Sequence, residues 1–284
     1  MTDLILHYSP SSFDSQIVLL TLVEKNVPFS GVIVDTDNLD QIDPNYVRKA
    51  GFCGVPMLEH DEVIKVGLPD IISYIEDTFD GTDLRQGDAE QIDHWITRVA
   101  TAHVEVLTLA TPPYPVPFPR MFSRSRLKHQ ISIANRLSRD VHDLGDIYRE
   151  YIRVLRHQFR TLGDEWKIND FYRKIGVILD ALELQLKTSA FAVGKNYSIA
   201  DVYLTALIAR LDSLRLGYLW EEEDRPSVSE YVKRMKSRPS YNKIFQQDSV
   251  PRLFSDGFFF KAVMARVAIP VSLLVVAVIL ILVL

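Results

Sequence analysis

The chain holds a single cysteine, Cys53, in 284 residues. One thiol can form neither an internal disulfide nor, without partners at ligand spacing, a structural zinc site. A reducing compartment is the expectation. Basic residues are scarce at the front: residues 1–90 carry 17 acidic and five basic side chains, a local charge of −12, and the first arginine is Arg48. A start without arginine, and without an apolar core behind basic residues, fits neither a signal peptide nor a transit peptide. Metal-ligand spacing is lacking as well. His94 and His103 lie nine apart in one helical stretch, whereas two ligands on one helix face need a separation of three or four, so no metal is expected.

The net charge of −5 leaves +7 for the remainder of the chain, concentrated between Arg120 and Arg160, where ten Arg or Lys stand against Asp140, Asp143, Asp146 and Glu150. That segment, 120–160, suits an anionic lipid surface or an acidic protein, or else a solvated helix face; no nucleic-acid partner is expected. Charge is missing altogether from Val267 to Leu284. At 1.5 Å per residue this run reaches roughly 27 Å, close to a hydrocarbon core of about 30 Å. Lys261 and Arg266 precede it and could snorkel to headgroups. The expectation is a C-terminal transmembrane anchor over 261–284 that meets the lipid bilayer through 267–284, with the preceding body facing the cytosol.

The N-terminal half reads as short alternating elements: "LILHY" as a strand, Ser12 to Lys25 as a helix, "FSGVIV" as a strand, and a helix near Asp43 to Lys49. "VPMLEH" and "EVIKV" then form a hairpin, and a helix over Pro69 to Phe79 begins on its proline. A βαβ unit followed by a hairpin and helix predicts a small mixed sheet with helices on its faces. Strand signals stop at Asp88. A long helical reading from Asp88 through "VEVLTL" is broken by the proline-rich "TPPYPVPFP", an extended crossing, and resumes over Ser123 to Phe159 and Asp164 to Lys187. In "NYSIADVYL", Ser198 and Asp201 form a variant capping box, with Tyr197 and Val202 placed as a hydrophobic staple.

"GVPML", "IISYIEDTF", the all-helical second half and "YSIADVYL" together resemble the glutathione transferase superfamily. "FDSQIVLLTLVEK", the basic insertion at about 111–165, "RPSVSEYVKRMKSRPSYNKIF" and the apolar end are similar to one branch of it. That branch holds ganglioside-induced differentiation-associated protein 1 and the plant tetrachlorohydroquinone-dehalogenase-like transferases. The resemblance implies a thioredoxin-like domain at 1–82 and an all-helical domain at 88–250, ahead of the anchor. A homodimer is compatible with it.

The resemblance also implies a site. The Val55–Pro56 bond should be cis, with the backbone of Val55 receiving the cysteinyl part of glutathione as an added strand would. Ser12 and Ser15 fall where relatives carry Cys-x-x-Cys or an activating hydroxyl. Ser12 is the candidate catalytic residue, Ser15 a weaker one, and Tyr8 and Ser9 are less well placed. Capping of the following helix is an equal explanation for Ser12. Relatives grip the glutamyl end with an acidic residue and a Ser or Thr, where this chain has Gly67 and Leu68. Gly54 replaces a basic residue, leaving Lys49 or Lys65 as possible compensation, while Asp70 opposes an anion at its helix start. Cys53 reads as a small hydrophobe, and Trp95 and Tyr114 as packing residues or lining for an apolar pocket.

Two functions follow as expectations. One is a membrane-tethered adaptor or sensor with a degraded glutathione site, on the mitochondrial outer membrane or else the endoplasmic reticulum or peroxisome. The other is a working glutathione-dependent transferase or reductase acting on apolar electrophiles.

Overall fold

A computed structural model describes residues 4–111, 119–221 and 223–246. Its sheet is built as the apolar alternation predicts. β1 (Leu4–Tyr8) pairs in parallel with β2 (Ser30–Ile33) and antiparallel with β3 (Met57–His60), which pairs antiparallel with β4 (Val63–Val66). The order is β2-β1-β3-β4. The central strands supply Leu4, Leu6 and Leu58 to a core shared with Ile17, Val18 and Leu20 of the helix α1 (Phe13–Glu24). Both edges carry exposed aliphatics, Val32 and Ile33 on β2 and Val63 and Ile64 on β4. Helix α2 (Pro44–Ala50) starts on the Asp43 side chain, which accepts from the N–H groups of Asn45 and Tyr46, and ends at Gly51 with φ +72°. Helix α3 (Leu68–Thr78) follows β4 and buries Ile71 and Ile75.

The second half is helical: α4 (Ala89–Ala100), α5 (Val104–Ala110), α6 (Pro119–Asp140), α7 (Gly145–Thr161), α8 (Glu165–Leu186), α9 (Ile199–Ser213) and α10 (Pro226–Lys236). Every residue of α9 from Ile199 to Leu211 is buried. A helix buried on all sides belongs at the centre of a bundle, and α9 packs against both α1 and α4. The capping box at its start is realised. The Asp201 carboxylate accepts from the N–H and the hydroxyl of Ser198 at 3.0 Å each, from the N–H of Ala192 at 2.9 Å and from the Tyr231 hydroxyl at 2.7 Å.

Two expected helices are each divided. The stretch from Asp88 breaks at Thr101–His103, where His103 takes φ +51° and the Thr101 hydroxyl bonds the carbonyls of Thr97 and Arg98. The break turns both Ala102 and Val104 into the core, and no glycine or proline marks it. Ser123–Phe159 splits at the 3₁₀ turn His142–Leu144, which buries Leu144 beside Ile42, Val47 and Tyr148.

The fold class needs one correction. Among the described residues no helix is long and apolar enough to cross a membrane, and the segment expected to do so, 261–284, lies outside them. The transmembrane helix is therefore withdrawn, together with the tail-anchored, cytosol-facing localisation on the mitochondrial outer membrane, endoplasmic reticulum or peroxisome that rested on it. The proline-rich crossing at 112–118, including Tyr114, also lies outside the described residues.

Candidate functional site

The site forms where β1 ends and β3 begins. Their antiparallel register pairs His7 with Met57, and Val55 and Pro56 lead into β3 from that end. The Val55–Pro56 bond is cis. Neither the N–H nor the C=O of Val55 is used in a hydrogen bond among the described residues, so a short extended peptide could add along this edge. The neighbouring carbonyl is held: the Tyr46 hydroxyl donates to the Gly54 oxygen at 2.7 Å.

From Ser9 the chain turns into α1. Ser12 is the residue before the first helical turn, with extended backbone, and its hydroxyl oxygen accepts from the Ser15 N–H at 3.2 Å. This cap uses a lone pair of the oxygen. The hydroxyl proton is left without an acceptor among the described residues, so capping and donation to a sulfur are compatible in one group. The helix N-terminus favours a thiolate at the same place. Ser15 differs. It is fully buried and its oxygen accepts from the Ser9 N–H at 3.3 Å, facing the protein. Ser9 is buried too, its hydroxyl shared with those of Ser11 and Thr36. The ring of Tyr8 lies over Gly31, which has no side chain to obstruct it.

The residue that composition and spacing miss is Arg210. It is 7% exposed, near the end of α9. It donates to the Ser11 carbonyl at 2.7 Å, to the Gln16 side-chain oxygen at 3.0 Å and to the Thr108 hydroxyl at 3.0 Å. All three acceptors are neutral. Burial pulls the guanidinium down to about 10, countered by Glu105 and Asp14, so it remains charged at neutral pH. Asp14, in the first turn of α1, is pushed up to about 7 by burial and by Glu105, with Arg210 opposing. A buried cation thus sits behind the Ser11–Ser12 turn. A lone arginine within the apolar run "YLTALIARL" was the available signal.

Gly67 precedes α3 with φ +80°, a conformation that L side chains rarely adopt, and makes no side-chain cap. Leu68 is half-buried against the core, Pro69 has no N–H to offer, and Asp70 is exposed. Neither lysine compensates: Lys49 lies 2.5 Å from Glu59, which also meets His7 at 3.1 Å, and Lys65 sits over the Tyr74 ring. The arrangement leaves the backbone of Val55 open beside Pro56, and at the start of α3 it offers backbone and the Asp70 carboxylate.

Cys53 and Trp95 resolve as packing. Cys53 lies beside the Ile42–Val47–Tyr148 cluster, where burial pushes its thiol up to about 12, far from a thiolate at neutral pH. His94 is on α4 while His103 precedes α5, so the two do not share a helix. Among the described residues no group of three His, Cys, Asp or Glu is placed to hold a metal ion. Trp95 is buried and donates to the Ala192 carbonyl at 3.1 Å.

Comparison with known proteins agrees with this architecture. Residues 6–83 match the glutathione S-transferase N-terminal domain and residues 168–239 the C-terminal domain. The chain is 27% identical over 248 residues to glutathione S-transferase TCHQD of Arabidopsis thaliana, covering 84% of this chain and 88% of that protein. It is 22% identical over 275 residues to the human ganglioside-induced differentiation-associated protein 1-like 1, covering 85% and 73%. Poplar glutathione transferase F1 superposes with a TM-score of 0.62 at 21% identity, over 87% of this chain and 98% of that one.

Proposed function

Because this chain belongs to the glutathione S-transferase superfamily, we propose that it holds a peptide thiol at the end of its sheet and binds glutathione weakly, acting as an adaptor or sensor more than as a conjugating enzyme. In this reading the unused N–H and C=O of Val55, next to Pro56, align the cysteinyl residue, and the sulfur lies at the start of α1, where Ser12 donates its free proton. Arg210 holds the turn from behind. The observation that carries the reading is the pair Gly67–Leu68, neither of which has a hydrogen-bonding side chain, while the polar residue of the first turn of α3, Asp70, is acidic. A charge-assisted hydrogen bond contributes about 1.5–3 kcal/mol, so losing one weakens binding roughly ten- to a hundredfold.

Calorimetry of the full chain with glutathione, alongside turnover of a model electrophile, tests this. Millimolar affinity with negligible turnover is expected. Micromolar affinity that falls on Ser12→Ala would instead establish the second reading, an active transferase on apolar electrophiles. What favours that second reading is the buried Arg210 cation behind the sulfur position, which would help to stabilise a thiolate.

A further inference from the structure

The basic segment does not stay a uniform face once folded. Arg120 pairs with Glu165 and Arg126 with Asp37, while Arg124 and Lys128 both lie over the ring of Phe159. Those four cations are engaged with other side chains. Of the six that remain, four line an open cleft of about 540 Å³ between α6 and α7, at the end where the two helices join, and Arg136 and Arg160 do not. Arg139 and Ser138 come from α6, and Arg149, Arg153 and Arg156 from α7, with the buried Ile152 at its base.

Helical spacing sets this up. Positions 149, 153 and 156 are four and three residues apart, so their side chains form one stripe, spaced along the axis by about 6 Å and about 4.5 Å. Arg139 faces the stripe from the other helix. Arg149 is paired with Asp146 and Arg153 with Glu150, both pairs well exposed. Exposed pairs of this kind are weak and yield readily to a better anion. Arg139 and Arg156 have no ion pair among the described residues. Four guanidinium groups against two nearby carboxylates leave a local excess of positive charge that an anion would neutralise.

We propose that this cleft binds a ligand bearing two or more phosphate groups. Guanidinium forks match phosphate oxygens in bidentate geometry, which an ammonium does not. A row of them at helical-turn spacing matches a string of phosphates better than a single carboxylate. The volume falls within the range of small-molecule sites, and the openness admits either a soluble polyphosphate or a phosphorylated lipid headgroup. The inference is independent of the thiol site.

The experiment is titration calorimetry of the full chain with inorganic tripolyphosphate and with inorganic phosphate. In parallel, flotation is measured with phosphatidylcholine vesicles that contain or lack phosphatidylinositol bisphosphate. Tripolyphosphate should bind at least about tenfold more tightly than phosphate and weaken steeply with salt. Arg153→Gln/Arg156→Gln should lose about tenfold or more, and Arg153→Lys/Arg156→Lys, which keeps the charge without the fork, should fall between. Arg173→Gln, on the exposed face of α8, should change nothing. Flotation that requires the bisphosphate lipid and is lost in the Gln variant identifies a headgroup, and tripolyphosphate binding without flotation identifies a soluble ligand. Equal affinity for phosphate and tripolyphosphate, an unaffected Gln variant, or an equal loss in Arg173→Gln would each overturn the proposal.

Discussion

The guanidinium of Arg210 donates to the carbonyl oxygen of Ser11 at 2.7 Å, tying the end of the central helix α9 to the residue just before the Ser12 cap. The same side chain reaches Gln16 and Thr108, so it joins α1, α5 and α9 at one buried point. The turn that leads into the Ser12 cap is thereby fixed from the helical half of the chain.

Arg210→Met should cost about 2–3 kcal/mol, since it strands part-buried acceptors on Ser11 and Gln16. It also removes the cation that favours ionised Asp14. The loss, measured by urea denaturation, should therefore be greater at about pH 8 than at about pH 5.

Asp14 gives the wild type a pH dependence of determinate sign. Its folded pKa, about 7, lies above the ordinary value of 3.8, so between those values the folded state binds the extra proton. The contribution of this group to stability is therefore greatest below the unfolded value, falls as pH rises to about 7, and levels off beyond. Asp14→Asn should flatten that slope and melt higher than wild type at about pH 8, with little difference at about pH 4. A melting series by circular dichroism checks it.

At Ser12, two substitutions separate the cap from the proton. Ser12→Ala removes both and should cost about 1 kcal/mol of stability, whereas Ser12→Asp keeps a capping oxygen, has no proton to donate at neutral pH and should cost little. If the hydroxyl proton serves a bound thiol, both variants should raise the pKa of the bound glutathione thiol, read from thiolate absorbance in the ultraviolet. Stability and thiol titration then move independently in the Asp variant.

Leu68→Ser supplies the missing hydroxyl at the start of α3. It should tighten glutathione binding by about tenfold, the effect of roughly 1.4 kcal/mol, at a small cost in packing. Gly67 is the poorer position to change because its φ of +80° strains any other residue. Calorimetry on the single variant suffices.

Asp201→Ala should be the most damaging of these changes. It leaves the Ser198 N–H, the Ala192 N–H and the Tyr231 hydroxyl without their acceptor in the core. At about 1–3 kcal/mol for each stranded group, the loss should approach the whole stability of the fold. Soluble yield and the denaturation midpoint report it, and Asp201→Asn, which retains an oxygen, should recover part.

The sequence by itself determined what depends on near neighbours. Ser12 as cap, Asp43 ahead of Pro44, the Ser198–Asp201 box and the strand and helix order of the first eighty-odd residues follow from interactions a few residues apart, whose energies do not depend on the rest of the chain. The helix break at His103 carries no proline or glycine and is explained by the burial of Ala102 and Val104, while the break after Val141 ends on Gly145 and buries Leu144. Tertiary structure alone decided that Arg210 meets Ser11 across 199 residues, that Lys49 is taken by Glu59, and that the basic segment divides into engaged cations and an arginine-lined cleft. The physical reason is that burial changes the strength of a charge and the worth of its partners, and burial is a property of the assembled fold.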